Sequence, residues 1–130
     1  MKFYIASRAK RADQVKRIVE SFKDLGHSIT LDWFKQPYLQ PYDKNYRRSR
    51  TVSQRMLNAI RNCDYFILLT DKAGTGMHTE FGIALSEHKK IFVVGKHLNT
   101  NIFFFHPNVK KLNSIEELIK KIKRRKSLRT

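Results

Sequence analysis

Apolar residues gather in short runs separated by stretches where they recur every three or four positions. Lys2–Ala6, Tyr65–Leu69 and Ile91–Val94 read as buried strands, and Val109–Leu112 as a short edge strand. After the first run, Val15, Ile18, Val19 and Phe22 fall at i, i+3, i+4 and i+7, which predicts a helix capped by Asp13 and stopped at Gly26. His27–Asp32 follows as a second strand, with Ile29 and Leu31 on one face. Thr51-x-x-Gln54 is a capping-box pattern opening a helix whose buried face is Val52, Met56, Ala59, Ile60 and Cys63. Phe81, Ala84 and Leu85 mark a helix after the third strand. Ser114-x-x-Glu117 opens a last one with Ile115, Leu118, Ile119 and Ile122 inward. Alternating strands and helices predict a single α/β domain over residues 1–130, an open parallel sheet of four to five strands covered on both faces.

Two stretches break the pattern. Residues 33–50 hold Pro37, Pro41 and the aromatics Trp33, Phe34, Tyr38, Tyr42 and Tyr46 without periodicity, a long loop that either covers a ligand or packs onto the sheet. Phe103-Phe104-Phe105 is hard to bury in so small a monomer, and an oligomer interface is one remedy.

Composition narrows the partners. Twenty-seven Lys and Arg against eleven Asp and Glu give a net charge of +16, which suits phosphorylated ligands, nucleic acid or an anionic surface. Part of that charge lies in a basic tail from about residue 123, a possible nucleic-acid contact, though not the favoured one. No run is long enough to cross a bilayer, and the N-terminus has no signal-sequence pattern, so no membrane partner is expected. The single Cys63 excludes an internal disulfide and points to a reducing cytoplasm. The histidines lack metal-ligand spacing, so neither metal nor other cofactor is expected.

Candidate chemistry centres on Asp71 to Leu85. Gly74-x-Gly76 between a strand and a helix can present backbone N–H groups to an anion, with His78 at the junction and Glu80 expected in the first helical turn. An ordinary βα loop with a solvated Glu has the same spacing. In an open parallel sheet, ligands sit at the carboxyl strand ends where strand order reverses. That brings together Tyr4 to Arg8, the loop after Asp32, and the glycine loop.

Tyr4-Ile5-Ala6-Ser7, Asp32-Trp33, Asn62-Cys63-Asp64 and Gly74-x-Gly76-x-His78-Thr79-Glu80-x-Gly82-x-Ala84-Leu85 together resemble the nucleoside 2-deoxyribosyltransferase family, which includes deoxynucleoside 5′-monophosphate N-glycosidases. The resemblance spans roughly Lys2 to Ile119. It implies a flavodoxin-like three-layer sandwich and cleavage or transfer at the N-glycosidic bond of a 2′-deoxynucleoside or its 5′-monophosphate. It implies Glu80 as the nucleophile forming a covalent glycosyl-enzyme, and Tyr4 as the residue that lines the sugar and positions Glu80. Ser7, Arg8, Gly74 and Gly76 would hold the 5′ end, with Asp32 and Trp33 near the sugar or base. His78 either binds substrate or caps its helix. It also implies a homodimer whose neighbour completes the site, for which Asn99–Phe105 is the candidate. One departure stands out. The family places an Asp on the helix before the third strand where this chain has Met56, which itself fits a core stripe. Asp71 is then a candidate general acid. A catalytically weak nucleotide-binding module, or a hydrolase of another N-ribosyl bond such as that of NAD, are the alternatives.

Overall fold

A computed structural model describes residues 1–35 and 39–129. The most apolar runs form the middle of a sheet. In chain order the elements are β1 (Lys2–Ala6), α1 (Ala12–Asp24), β2 (Ser28–Ile29), α2 (Tyr46–Asn62), β3 (Tyr65–Leu69), α3 (Thr75–Ser86), β4 (Lys90–Val94), β5 (Val109–Leu112) and α4 (Ile115–Arg129). Single 3-10 turns lie at Ala9–Arg11, Trp33–Lys35 and Ile102–Phe105. All five strands are parallel, in the order β2-β1-β3-β4-β5, the flavodoxin-like arrangement.

Strand alternation builds two cores. Phe3 and Ile5 of β1, Ile67 and Leu69 of β3 and Phe92 of β4 face α1 and α4. Tyr4, Phe66, Leu68, Ile91 and Val93 face α2 and α3. Because the strands are buried on both faces, their sequences read as continuous apolar runs rather than alternating ones. Aromatic rings stack across the sheet: Phe3 on its register partner Tyr65 at 5.5 Å, and Tyr65 diagonally on Phe92 at 5.7 Å. On the opposite face Tyr4 lies nearly parallel to Phe66, at 5.5 Å and 7°.

Helix ends follow local chemistry. Gly26, at φ +87°, closes α1, with its N–H on Lys23 C=O and the His27 N–H on Phe22 C=O, which satisfies two of the last carbonyls. Ser114 caps α4: its Oγ accepts the Glu117 N–H at 3.1 Å, and the Glu117 carboxylate returns to the Asn113 N–H at 2.8 Å. Asp64 ties β3 to β1, its carboxylate and its N–H both meeting the Lys2 backbone at 2.8 Å.

Several sequence expectations are corrected. Asp13 lies inside the first turn of α1 and makes no cap. Strand β2 is two residues long, so Ile29 packs with the α1/α4 core and Leu31 with the α2/α3 core, on opposite faces of the sheet. The expected 33–50 loop ends at Asn45, because α2 starts at Tyr46. Thr51 is therefore inside the helix, its hydroxyl donating to Arg47 C=O at 3.1 Å rather than capping. Val52 and Met56 are only partly buried; the core face of this helix begins at Ala59. Pro37 and Tyr38, and the side chains from Arg125 onward, lie outside the described residues.

One glycine that the sequence reading passed over is required by this fold. Gly95, directly after β4, has φ +134°, and a Cβ there would collide with Thr70 Oγ1. Thr70 is buried at the end of β3, with both its N–H and its hydroxyl on Val94 C=O. Gly95→Ala is expected to cost about 2–3 kcal/mol from the positive φ and the displaced threonine together, lowering Tm by about 10 °C. Thermal unfolding tests this, and an unchanged Tm would show that the β3–β4 junction tolerates a side chain. Gly95→Ala with Thr70→Ser should recover little, because the hydroxyl remains.

Candidate active site

The switch point of the sheet lies between β1 and β3, from which the chain leads to β2 on one side and to β4 on the other. Helix α3 drops from this edge toward the amino side, so its early residues hang over the strand ends. Gly74 caps it at φ +118°, a conformation that bulkier residues rarely adopt. A Cβ on Gly76 would meet nothing within 4 Å, so this turn is open to an approaching molecule.

On α3, Met77, Phe81 and Ala84 are buried at i, i+4 and i+7. Glu80 takes the i+3 place in the same stripe. Its position is thus in the second turn, not the first as the loop spacing suggested, and the first turn carries no acid. The stripe turns the carboxylate inward to Tyr4, whose hydroxyl donates to Glu80 Oε2 across 76 residues of sequence. Tyr4 is wholly buried on β1 and locked against Phe66. Burial pushes Glu80 up to about 7, although the Tyr4 hydrogen bond acts the other way. Burial, followed by the neighbouring Glu80 charge, raises the Tyr4 phenol far above its ordinary value, so it stays a donor throughout the physiological range. A partly desolvated carboxylate, poised near neutrality beneath a phenol donor, can act as base or nucleophile.

Above this pair the rim is cationic. Asp71, at the end of β3, is only 9% exposed and draws in Lys10 at 3.5 Å, Arg11 at 3.5 Å and Arg8 at 3.9 Å. The Lys72 N–H, and then Lys10, Arg11 and Arg8, hold Asp71 below the usual carboxylate range. Ser7 Oγ donates to Arg8 C=O at 3.0 Å and shapes the same turn.

His78 is fixed from two sides. Its Nδ1 lies 2.7 Å from Gly74 C=O and must donate there, since a carbonyl only accepts; in the neutral ring Nε2 is then the acceptor. The ring stacks on Phe104 at 6.2 Å, and Phe104 meets Phe81 edge-on at 5.2 Å. Phe104 is thus a core residue behind the site, whereas Phe103 and Phe105 point out at 58% and 63% exposure. Reading the three phenylalanines as one block missed this split, which a 3-10 turn imposes. Trp33 donates from Nε1 to Ile5 C=O at 2.6 Å and packs against the α1/α4 core, the face away from Tyr4. Asp32 is partly buried beside it. The fold therefore joins Tyr4 and Glu80 directly, has Gly74, Gly76 and His78 at the start of the helix that carries Glu80, and places Ser7, Arg8 and Asp71 just past the ends of β1 and β3. Trp33 pins the loop that follows β2. Among the described residues no group of three His, Cys, Asp or Glu could hold a metal ion. No helix among them is long and apolar enough to cross a membrane.

Comparison with known proteins bears on this arrangement. A solved structure with the same fold is the CMP N-glycosidase BcmB of Clostridium botulinum, with a TM-score of 0.67 and 18% identity over 95% of this chain and 99% of that one. No curated protein sequence matches. The family model for nucleoside 2-deoxyribosyltransferase matches residues 3–117, a span that holds Tyr4, the cationic turn, the glycine loop and Glu80. The chain belongs to the nucleoside 2-deoxyribosyltransferase family.

Proposed function

We propose that this protein cleaves the N-glycosidic bond of a 2′-deoxynucleoside 5′-monophosphate through a covalent intermediate on Glu80. The Tyr4–Glu80 pair at the carboxyl edge of the sheet, its tyrosine wholly buried and its carboxylate partly so, carries this reading. The ionised carboxylate attacks the anomeric carbon, and the C1′–N bond breaks with its electron pair leaving on the base nitrogen. Water, or a second base, then displaces Glu80 from the opposite direction. Tyr4 acts as a positioning residue, fixing one carboxylate oxygen so that the other faces the sugar. The 5′-phosphate is the natural ligand for the Arg8–Lys10–Arg11 turn, with Gly74 and Gly76 giving backbone access. Asp71 in this reading orients those cations. A carboxyl held ionised by three of them is a poor proton donor, so the general-acid role is not assigned to it. With Met56 on α2 as well, the departing base takes its proton from water, and turnover is slow for this family.

The test is base release, followed by chromatography, from deoxy- and ribonucleosides, their 5′-monophosphates and NAD, with and without an acceptor base. Release confined to deoxynucleoside monophosphates supports the proposal, and the acceptor arm separates hydrolysis from transfer. Ligand-dependent stabilisation without release from any substrate means a nucleotide-binding module instead.

The same proposal includes a homodimer. Ile102, Phe103 and Phe105 are 80%, 58% and 63% exposed on one 3-10 turn, an apolar surface larger than scattered single residues give. Ile102→Glu with Phe103→Glu is expected to convert a dimer to a monomer by light scattering, and a monomeric parent protein would remove the basis for it.

A further inference from the structure

The cationic surface extends beyond what one phosphate needs. The segments that leave the carboxyl strand ends (residues 7–11, 30–34, 39–50, 70–74 and 95–101) carry nine Lys and Arg against three Asp. The segments at the amino ends (1–2, 24–28, 61–64, 86–90 and 106–108) carry four against three. The positive field of this face is thus concentrated where the site opens. Helix α2 extends it outward. At 17 residues the helix is about 25 Å long, beside strands of about 17 Å. It ends at the amino edge, two residues before β3, so about 8 Å of its first turns projects past the carboxyl edge.

That projecting end carries Arg47, Arg48 and Arg50, with Tyr42 and Tyr46 beside them at 59% and 62% exposure. Among the described residues none of the three arginines has a carboxylate partner, and the first turn of α2 holds no acid. Arginines at this end oppose the helix dipole, so the arrangement disfavours the free helix. The arginines of the other cluster, by contrast, already converge on Asp71. Arg50 donates to the Tyr46 hydroxyl at 3.5 Å, which sets a cation against an exposed ring. Exposed aromatic rings followed by arginines without carboxylate partners form a surface on which bases stack while phosphates meet cations.

We propose that this rim binds single-stranded nucleic acid, with the strand running from the Arg8–Lys10–Arg11 turn across the projecting end of α2. Tyr42 and Tyr46 stack bases, and Arg47, Arg48 and Arg50 meet successive phosphates. The proposal does not rest on the chemistry assigned to Glu80, because the binding surface lies outside the Tyr4–Glu80 pair.

Fluorescence anisotropy of the full chain with a labelled twelve-residue oligodeoxythymidylate tests it. With about four phosphates neutralised, affinity should fall about 50-fold between 50 and 200 mM salt. Arg47→Glu with Arg48→Glu and Arg50→Glu should weaken binding at least about tenfold and flatten the salt slope. Tyr42→Ala with Tyr46→Ala should cost about tenfold and leave the slope unchanged. Lys120→Glu, Lys123→Glu and Arg124→Glu, on the exposed face of α4, should change affinity less than about threefold. Glu80→Gln should keep oligonucleotide affinity even where it loses base release, so failure of one reading leaves the other standing. Three results overturn the proposal: loss of binding in the α4 variant with the α2 variant unaffected, displacement of the oligonucleotide by equimolar thymidine monophosphate, and binding to phosphatidylserine vesicles but not to the oligonucleotide.

Discussion

Glu80→Gln is expected to abolish base release and, at the same time, to make the protein more stable above neutral pH. The amide has no anionic oxygen to attack the anomeric carbon, so the covalent route closes and release should fall by at least about a thousandfold. Its shape is retained, and its Oε1 still accepts from Tyr4. Stability moves the other way because burial costs the carboxylate its hydration. In the folded protein Glu80 keeps its proton up to about 7, against an ordinary value of 4.5. Between those two values the folded state binds more protons than the unfolded state, so stability falls as pH rises through this window. Above it the ionised side chain costs about 3 kcal/mol, which glutamine avoids. Below pH 4.5 both side chains are neutral and the difference should vanish. Urea unfolding at pH 4.5 and pH 8, run alongside the release assay, tests both halves. A variant within tenfold of the parent in rate would show that Glu80 is not the nucleophile, and a stability gain equal at both pH values would show that it is not a desolvated charge.

That conflict between function and stability was partly readable in the sequence. Glu80 occupies the i+3 position of the stripe Met77, Phe81, Ala84, where an inward carboxylate stands out. Loop spacing alone put it in the first turn, because the start of α3 could not be fixed between the two glycines. Its partner was beyond any spacing argument. Tyr4 and Glu80 are brought together only by the sheet order, and the family resemblance named both residues before the fold joined them. The strands β1, β3 and β4 were legible because burial on both faces demands unbroken apolar runs. The short β2 was not, since only Lys2 and Phe3 pair with it and the chain then turns away. The first turns of α2 were invisible for a related reason. They project past the sheet and bury nothing, so no apolar period marks them, and the Thr51 pattern within the helix mimicked a start. Phe104 and Gly95 show the same limit: each is defined by a neighbour distant in sequence, His78 and Phe81 for one and Thr70 for the other.

Tyr4→Phe should shift the acidic limb of the pH profile upward while leaving the fold intact. The ring remains stacked on Phe66, and only the hydroxyl is lost. That hydroxyl is a hydrogen-bond donor to Glu80 and the influence that lowers its pKa against burial. Without it the neutral carboxyl is favoured further. A hydrogen bond to a charged group is worth about 1.5–3 kcal/mol, which corresponds to about one to two pH units. Since attack needs the carboxylate, kcat/KM for the parent should rise with pH through the free-enzyme value near 7, and the variant should reach its plateau only one to two units higher. At pH 7, where half of the parent's Glu80 is ionised, this alone removes about 80% or more of the rate, and the freed rotation of Glu80 removes more. A tyrosine that merely filled the core would lower activity equally at every pH. Measuring kcat/KM from pH 5 to pH 9.5 for both proteins separates the two cases: coincident limbs would make Tyr4 a packing residue, and a displaced limb with partial recovery at high pH would make it the group that sets the charge of Glu80.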